Sequence, residues 1–444
     1  MRAGGRYQAA VEVLDDVLLR RTPVNDALRD WGKSHRFAGS KDRSFIGNLV
    51  HDALRKKSSL AWQMDDETSR ALVFGTLLWE HELPLAELQE AFSSEHGPGA
   101  LTDNEKARAE KPISLNDAPE WIQADVPEWL WPAFEANFDD DAVAEGKALT
   151  ESAPLDLRVN QMKSTQADAL KMLADLSAKP APISPHAMRI VRDGPHSRLP
   201  NVQIEPIYQE GNVEIQDEGS QIISSLINAA EGDKILDFCA GSGGKSLAIA
   251  SDMKDKVSIT SFDIDKRRLA PLYPRKLRAG TQVIDVVQPP LSNLKKLKGS
   301  FDKVVLDAPC TGVGTWRRKP DAKWRLSEKS LEVRLKEQET VLETGSEFVR
   351  NGGLLFYMTC SMLAEENEAQ IYAFLERHEE YTLLSAGEVW EDLYGVDAPK
   401  PWSADGCSLT LTPASTGTDG FFFAVLEKSA DGKPVKKGYR PEDS

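Results

Sequence analysis

Cys360 is the residue of this sequence whose type and position point most directly to chemistry. It lies in the stretch Tyr357-Met358-Thr359-Cys360-Ser361, after the apolar run Gly352-Gly353-Leu354-Leu355-Phe356. That run predicts a buried strand, and the residues from Ala364 onward predict the start of a helix. Cys360 is therefore expected at the carboxyl end of a strand, where open α/β sheets bind ligands. A thiol there can be a nucleophile if its surroundings lower its pKa, or simply a small buried apolar residue.

A second thiol and a carboxylate follow another predicted strand. In Val304-Val305-Leu306-Asp307-Ala308-Pro309-Cys310, both Asp307 and Cys310 come at the end of a buried run, so we expect them on the same sheet edge as Cys360. Two thiols and a carboxylate suit methylation of a pyrimidine, in which a thiolate adds to carbon 6 and carbon 5 takes a methyl group from a sulfonium donor. A base then removes the proton on carbon 5, and elimination frees the enzyme. The spacing does not decide which thiol attacks.

A glycine-containing turn between a predicted strand and a predicted helix is a candidate ligand-binding loop. In chain order it contains Cys239, Ala240, Gly241, Ser242, Gly243, Gly244 and Lys245. Glycines let a ligand approach the backbone, and the amino end of a helix favours negative charge. Ser246 stands where the dinucleotide fingerprint has its third glycine, so an adenosine-bearing ligand with an amino-acid end fits at least as well as a pyrophosphate. A tight turn without a ligand is the alternative.

Two further carboxylates are candidates for contacts with an adenosine group. Asp263 follows the predicted strand Ser258–Phe262, about 20 residues past the glycines, where a carboxylate can accept hydrogen bonds from both ribose hydroxyls. Asp285 is expected at the end of the third strand, from which it can reach the adenine or its amino group. The alternatives are a helix cap for Asp263 and a cap or a solvated side chain for Asp285.

The segment from Thr315 to Arg325 combines five basic residues with two tryptophans just past Cys310. We interpret it as a surface for phosphate contact and base stacking, because single-stranded nucleic acid is bound by that combination of charge and aromatic rings. A solvated charged loop with anchoring aromatic residues is the alternative.

Composition leaves a nucleic-acid substrate open. The chain has 444 residues and a net charge of −16. The acidity is concentrated, since residues 1–60 carry 12 basic and 7 acidic side chains whereas residues 61–150 carry 5 and 20. The net charge therefore describes the whole chain and not its working face. No apolar run reaches the length of about 18 residues needed for a transmembrane helix, and no signal-peptide core follows Met1, so we expect no membrane partner.

The cysteine pattern predicts an intracellular protein without a metal. Cys239, Cys310, Cys360 and Cys407 are widely spaced and include no Cys-x-x-Cys pair. This spacing argues against a zinc site and against a disulfide framework. A reducing cytoplasm is the expected location, because thiols persist there.

The elements that must position these residues fall into blocks. Residues 1–92 predict a helical bundle with one helix over Ser69–His81, residues 93–118 a linker, and residues 121–134 a pair of helices interrupted by prolines. Residues 154–215 predict alternating short elements, with strands at Leu155–Asn160, Ala187–Val191 and Val202–Ile204. From residue 216 strands and helices alternate, which predicts a doubly wound parallel sheet. Its predicted strands are Lys234–Phe238, Ser258–Phe262, Thr281–Val287, Lys303–Leu306 and Gly353–Tyr357.

The predicted fold is therefore α/β, with a Rossmann-like doubly wound sheet as its main part. We predict a helical domain over residues 1–150, a small α+β, RRM-like RNA-binding module over 151–215, the domain with the large sheet over 216–430, and a disordered tail over 431–444.

Five motifs together resemble the Sun/Fmu-type RNA cytosine carbon-5 methyltransferases. They are Gln216–Gln221, Cys239–Lys245, Asp307–Cys310, Thr359–Ser361 and Asp419–Phe423. The resemblance covers residues 155–428 and is strongest to the bacterial enzymes that act on small-subunit ribosomal RNA. Residues 1–150 are similar, more loosely, to the NusB-like domain that precedes the catalytic part in those enzymes. Two positions depart from the family pattern: Gly241-Ser242 replaces Ala-Pro, and Ile284 precedes Asp285 in place of glycine.

The resemblance implies S-adenosylmethionine as methyl donor, S-adenosylhomocysteine as product and 16S ribosomal RNA as substrate. It implies that residues 239–245, Asp263, Asp285 and Asp307 line the donor's pocket. Cys360 would be the attacking nucleophile and Cys310 would assist release of the methylated base, with Asp307 beside them. It says nothing of protein partners.

Two other functions fit the same sequence. One is a methyltransferase that acts on cytosine in tRNA or DNA. The other is a non-catalytic RNA-binding assembly factor that kept the fold, although the intact Asp307, Cys310 and Cys360 speak against it.

Overall fold

The structure is a computed structural model that describes residues 1–194, 197–401, 403 and 405–434. These residues form two compact units. The first contains residues 1–153, 192–198 and 315–327, and the second contains residues 154–191, 199–314 and the chain from 328 onward. From residue 435 onward the tail predicted over 431–444 lies outside the described residues. The division into four domains stays a prediction.

Helices and strands are numbered here in chain order. The α-helices are α1 (Ala3–Leu18), α2 (Val24–Ser34), α3 (Ser40–Arg55), α4 (Lys57–Met64), α5 (Ser69–Gly75), α6 (Leu85–Phe92), α7 (Asp103–Glu110), α8 (Glu120–Gln123), α9 (Trp131–Phe138), α10 (Ala142–Ala148), α11 (Gln166–Met172), α12 (Pro206–Gln209), α13 (Glu218–Ser225), α14 (Gly244–Asp252), α15 (Lys266–Leu269), α16 (Leu272–Ala279), α17 (Pro320–Arg325), α18 (Glu328–Ser346), α19 (Glu368–Arg377), α20 (Ala386–Tyr394) and α21 (Pro413–Thr416). The strands are β1 (Leu155–Val159), β2 (Lys179–Pro180), β3 (Ala187–Ile190), β4 (Val213–Ile215), β5 (Lys234–Asp237), β6 (Ser258–Phe262), β7 (Ile284–Val287), β8 (Phe301–Asp307), β9 (Val349–Thr359), β10 (Tyr381–Leu383), β11 (Ser408–Leu411) and β12 (Phe421–Lys428).

The first unit is helical, as predicted for the amino-terminal region. Its core is formed by the apolar faces of α1, α3 and α5, on which Leu14, Leu49 and Phe74 are fully buried. The helix predicted over Ser69–His81 is found as α5 followed by a single π-helical turn at Thr76–Glu80. The similarity of this unit to NusB stays a prediction.

Helix α7 shows that the prediction of a plain linker over residues 93–118 was wrong. The helix begins with a capping box, in which Thr102 Oγ1 accepts a hydrogen bond from the Glu105 amide at 3.1 Å and the Glu105 carboxylate accepts one from the Thr102 amide at 2.7 Å. Arg70 also donates to Glu105 at 2.7 Å. Because these bonds satisfy amide groups at the helix start, a polar segment can be helical without an apolar stripe.

The interpretation of residues 315–325 as a base-stacking surface was also wrong for Trp316 and Lys323. Trp316 and Lys323 are each only 1% exposed, within the first unit. Lys323 Nζ donates to the carbonyl of Arg55 at 2.9 Å, and Trp324 Nε1 donates to the carbonyl of Leu54 at 2.6 Å. Burial lowers the pKa of Lys323 to about 8. Lys323 and Trp324 pack against the end of α3, because their long apolar parts can be buried while their polar ends find backbone partners.

Asp52 of α3 is a partly buried acid that pairs with three basic side chains of this unit. His81 Nε2 lies 3.0 Å from its carboxylate, Arg55 lies 2.6 Å from it, and Arg192 contacts it at 3.2 Å. Burial raises the pKa of Asp52, but the hydrogen bond from His81 and the charges of Arg55 and Arg192 outweigh burial and lower it to about 2. Because the pKa of Asp52 is lower in the folded state than the value near 4 in the unfolded state, the ionised carboxylate stabilises the fold at pH values above about 4. This stabilisation is lost as the pH falls through the folded-state pKa of about 2.

Replacing Asp52 with asparagine is therefore expected to lower the free energy of unfolding by about 2 kcal/mol at pH 7. The deficit should shrink as the pH falls from about 4 to about 2, where the wild-type carboxyl is itself protonated. Urea denaturation followed by circular dichroism at each pH measures this difference. Asp30→Asn is the matched control, because Asp30 is exposed and pairs with Lys33 only near the surface, so its loss should be much smaller than that of Asp52→Asn. Equal losses for the two variants would contradict the assignment.

The second unit begins with a small antiparallel sheet of strand order β2-β3-β1-β4. Leu157 and Val159 of β1 and Met188 of β3 point into its core together with Ala169 of α11. The strand predicted at Val202–Ile204 is instead a 3-10 helix. Pro206, just after this segment, has no amide proton and cannot donate a hydrogen bond to a neighbouring strand. Ile204 is 66% exposed, so its side chain does not pack into the core as that of a buried strand would.

The large sheet has the order β10-β12-β9-β8-β5-β6-β7 within the described residues, with β11 paired to β12. Strands β5 to β9 run parallel, whereas β12 pairs with β9 antiparallel. This topology confirms the Rossmann-like sheet. It brings the carboxyl ends of β5, β8 and β9 together at one edge, and it places Phe422 of β12 directly opposite Thr359.

Candidate active site

The two thiols that follow neighbouring strands meet at this edge. Strands β8 and β9 are paired in parallel, with Asp307 opposite Met358. Cys310 and Cys360 follow these strands, and their Sγ atoms lie 3.3 Å apart. The amide of Gly314 donates to the carbonyl of Cys360 at 3.0 Å and so ties the loop after β8 to the end of β9. The structure thus brings together the two cysteines that the sequence singled out.

The surroundings of Cys310 favour its protonated form. The hydrogen bond with Cys360 and burial both raise the pKa of the Cys310 thiol well above its ordinary value, and the nearby charge of Glu366 adds to this. Cys310 therefore keeps its proton near neutral pH. A protonated thiol at this distance can donate a hydrogen bond to the sulfur of Cys360 and thereby stabilise negative charge there.

Asp307 is the last residue of β8 and lies at the same edge of the sheet. Its carboxylate pairs with Lys245 at 3.0 Å, and the Lys245 side chain is 7% exposed whereas that of Asp307 is 33% exposed. Lys245 Nζ also lies 3.2 Å from Ser220 Oγ and 5.5 Å from the centre of the Phe421 ring. Lys245, at the end of the glycine loop, therefore contacts the end of β8, the start of α13 and the start of β12.

The glycine loop connects β5 to α14 and is open towards solvent on one side. Gly241 and Gly243 have φ angles of +51° and +84°, which favour glycine. A Cβ atom on Gly243 would meet Leu272 at 2.1 Å, whereas the nearest atom to one on Gly241 lies 3.7 Å away. Leu272 therefore approaches Gly243 closely, whereas a Cβ atom at the buried Gly241 would meet only ordinary van der Waals contacts.

Asp263 follows β6 and faces this loop. The amide of Gly241 donates to one of its carboxylate oxygens at 3.0 Å, and the amide of Asp265 donates to the other at 2.9 Å. Ser242, which departs from the family pattern, is held from another side, since Arg275 donates to its carbonyl at 2.7 Å and to its hydroxyl at 2.9 Å. Hydrogen bonds from Arg275 thus hold the loop at Ser242, the position at which the family pattern has proline.

The other residues expected in the donor's pocket lie as follows. Ala240 donates its amide to the carbonyl of Phe262 at 2.9 Å, and burial raises the pKa of the Cys239 thiol. Asp285 is exposed and is the second residue of β7, so its expected placement at the end of the strand was wrong. Strand β7 ends at Val287, two residues after Asp285, and Gln288 follows its carboxyl end. A role of Asp285 in binding adenosine stays a prediction.

Several buried polar side chains near the site were missed by the sequence reasoning. Asp237 ends β5, where its carboxylate accepts a hydrogen bond from the Ser246 amide at 3.2 Å, and burial raises its pKa to about 7. Glu366, Asn367 and Gln338 lie behind the two thiols and are at most 1% exposed. The signal for Glu366 and Asn367 was their place after a strand and at the start of a helix, where polar residues usually act as caps.

The described residues contain no group of three histidine, cysteine, aspartate or glutamate side chains arranged to hold a metal ion. Over the same residues, no helix combines the length and the apolar character needed to cross a bilayer.

Comparison with known proteins places the chain in a family. The model of the 16S rRNA methyltransferase RsmB/F family matches residues 224–427, and a model of the RsmF/B-like ferredoxin-like domain matches residues 126–196. A probable ribosomal RNA small subunit methyltransferase B from Synechocystis sp. is 32% identical over 323 residues, which cover 69% of this chain and 68% of that protein.

Solved structures share the fold of this chain. The crystal structure of PH0851 aligns with a TM-score of 0.71 and 22% identity over 96% of this chain and 99% of its own. NSun6 from Pyrococcus horikoshii, solved with SFG, aligns with a TM-score of 0.60 and 21% identity over 68% of this chain and 98% of its own. The motifs, the sheet and these relatives agree, and the chain belongs to the RsmB/F family of Sun/Fmu-type RNA methyltransferases.

Proposed function

We propose that this protein methylates carbon 5 of a cytosine in small-subunit ribosomal RNA, with S-adenosylmethionine as donor and a covalent adduct between Cys360 and carbon 6. The observation that carries the proposal is the pair of thiols 3.3 Å apart beside the Asp307–Lys245 ion pair. Membership of the RsmB/F family and the activity named for the Synechocystis relative support the substrate class. The thiols must stay reduced for this chemistry, which favours a reducing cytoplasm.

The residues present fit the donor. The glycine turn after β5 and the carboxylate of Asp263 beside it suit an adenosine group, and the carboxylate of Asp307 suits the positive charge of a sulfonium. We assign residues 239–245, Asp263, Asp285 and Asp307 to this pocket. When bound, S-adenosylmethionine supplies the methyl group that carbon 5 receives.

The chain's own residues act on the base as follows. The Cys360 sulfur forms a bond to carbon 6, and the electron pair of the ring double bond moves to make carbon 5 nucleophilic. After methylation, carbon 5 loses its proton to a base, the double bond re-forms and the bond between sulfur and carbon 6 breaks. Cys310, which keeps its proton, donates a hydrogen bond to the departing sulfur and so favours release. The cytosine must be unpaired or flipped to reach the thiol.

The test compares transfer of a labelled methyl group onto RNA and onto DNA. We expect label in small-subunit ribosomal RNA, and bisulfite sequencing of RNA from a strain without the protein should show one methylated cytosine lost. Label on DNA or tRNA alone would favour the alternative substrates. Failure to bind S-adenosylmethionine in calorimetry would favour a non-catalytic RNA-binding factor.

Asp263→Asn is expected to weaken binding of S-adenosylmethionine by about 10-fold or more, since a hydrogen bond to a charged group contributes about 1.5–3 kcal/mol. Isothermal titration calorimetry measures the change in Kd. Asp265→Asn is the matched control, because Asp265 lies two residues away and caps α15, a role that asparagine also fills. If both variants bind the donor like the wild type, Asp263 does not hold the ribose.

A further inference from the structure

Two consecutive buried residues, Glu366 and Asn367, contact the loops of both thiols. They are 0% and 1% exposed and lie between β9 and α19. We propose that this dipeptide is the positioning element that sets the separation of the two sulfurs, with Glu366 holding the Cys310 loop and Asn367 holding the end of β9 at Cys360. The proposal concerns geometry, and only its catalytic consequence rests on the proposed function.

Glu366 holds the loop on both sides of Cys310. Its Oε1 atom accepts a hydrogen bond from the Thr311 amide at 2.8 Å, and its Oε2 atom accepts one from the Thr311 hydroxyl. On the other side Gln338 of α18 donates to Glu366 Oε1 at 2.9 Å and to the carbonyl of Pro309 at 3.0 Å. The residues before and after Cys310 are thus both anchored to one carboxylate, directly or through one amide.

Asn367 holds Cys360 in the same manner. Its Oδ1 atom accepts a hydrogen bond from the Thr359 hydroxyl at 2.7 Å, and its Nδ2 group donates to the carbonyl of Ser361 at 3.1 Å. Again the residues before and after the cysteine are both anchored, here to a single amide side chain.

The two anchors cannot move independently. Consecutive Cα atoms are held about 3.8 Å apart by the peptide bond. The Tyr357 hydroxyl donates to the backbone carbonyl of Glu366 at 2.6 Å and ties the dipeptide to β9. Loss of the hydrogen bonds at either anchor therefore frees one cysteine loop relative to the other, and displacements of about 1 Å in an active site can cost about 100-fold in rate.

The first experiment needs no methyl transfer. Purified full-length protein is treated with oxidised dithiothreitol, which takes two electrons and two protons as the thiols of Cys310 and Cys360 become a disulfide. The rate, followed by mass spectrometry of the linked peptides, reports how well the sulfurs are aligned. We expect Glu366→Gln and Asn367→Asp each to slow it at least 10-fold, because each removes a hydrogen bond with little change of shape.

Glu365→Gln is the matched control, since the adjacent Glu365 contributes its backbone carbonyl to Gln370 and is only partly buried. It should form the disulfide at the wild-type rate. Gln338→Leu removes the clamp on Pro309 from α18, and it replaces Glu366→Gln if that variant does not fold. Wild-type rates in the folded Asn367→Asp variant and in a folded variant of the Cys310 clamp would overturn the proposal.

The second experiment separates positioning from general stability. With RNA and donor, the Asn367 variant should slow formation of the covalent adduct, whereas the Glu366 variant should form it normally and release it slowly. Equal loss of both steps in both variants would mean that the dipeptide only stabilises the fold. If the disulfide rates change as expected but wild-type protein methylates no RNA, the positioning role stands and the proposed function fails.

Discussion

Cys360→Ser is expected to reduce methyl transfer to RNA on the order of 10³-fold or more, since removing a covalent nucleophile leaves only the catalysis supplied by binding. Serine has nearly the same shape, but its hydroxyl is a far weaker nucleophile near neutral pH than a thiol that can ionise. Without addition at carbon 6, carbon 5 of cytosine does not accept a methyl group. Single-turnover transfer of a labelled methyl group measures the effect.

Two controls make this result specific. Donor binding by the Cys360→Ser variant should match that of the wild type, because the donor is assigned to the glycine loop and not to this thiol. Cys407→Ser should keep the wild-type rate, since Cys407 contacts the Asp405 carbonyl at 3.6 Å in a loop that carries none of the assigned site residues. Transfer at an undiminished rate in Cys360→Ser would end the covalent mechanism.

Cys310→Ala is expected to trap the protein on its RNA. The thiol that donates to the departing sulfur across 3.3 Å is then gone, and loss of such a proton donor typically costs about 10²–10⁴-fold in the assisted step. Addition and methylation still occur, so the adduct should accumulate and appear as a slow band on a denaturing gel. The wild type should show little of this band.

The double variant Cys310→Ala, Cys360→Ser tests which sulfur carries the adduct. It should show no slow band, because the bond to carbon 6 is assigned to Cys360. An adduct that survives in the double variant would assign the nucleophile elsewhere. Absence of an adduct in Cys310→Ala, with RNA and donor both bound, would show that Cys310 does not assist release.

Much of the large sheet was predictable because its parallel strands are short segments rich in apolar or β-branched residues, and helical segments lie between most of them. The strand predicted at Ser258–Phe262 is found with those bounds as β6, and Lys234–Phe238 differs from β5 by one residue. Strand β12 shows the limit of such patterns. Its Phe421–Phe423 run was recognised only as a motif, since nothing local indicates that β12 inserts next to β9 and runs antiparallel to it.

The segment at residues 315–325 shows why composition can mislead. Basic residues and tryptophans are typical of RNA-binding surfaces, and that interpretation follows from the residue types alone. Trp316 and Lys323 are nevertheless buried in the helical unit, where Lys323 donates to a backbone carbonyl. Burial of a charged side chain depends on which partners the fold brings to it, and those partners lie more than 200 residues earlier in this chain.

For the active site, the sequence by itself determined which residue types end the parallel strands: a glycine loop after β5, Asp307 and Cys310 after β8, and Cys360 after β9. Local periodicity encodes strands and their ends, and parallel strands share one edge. Only the tertiary structure decided that the two sulfurs lie 3.3 Å apart and that Glu366 and Asn367 lie behind them. That distance depends on the pairing register of strands about 50 residues apart and on buried hydrogen bonds, neither of which leaves a periodic signal in the chain.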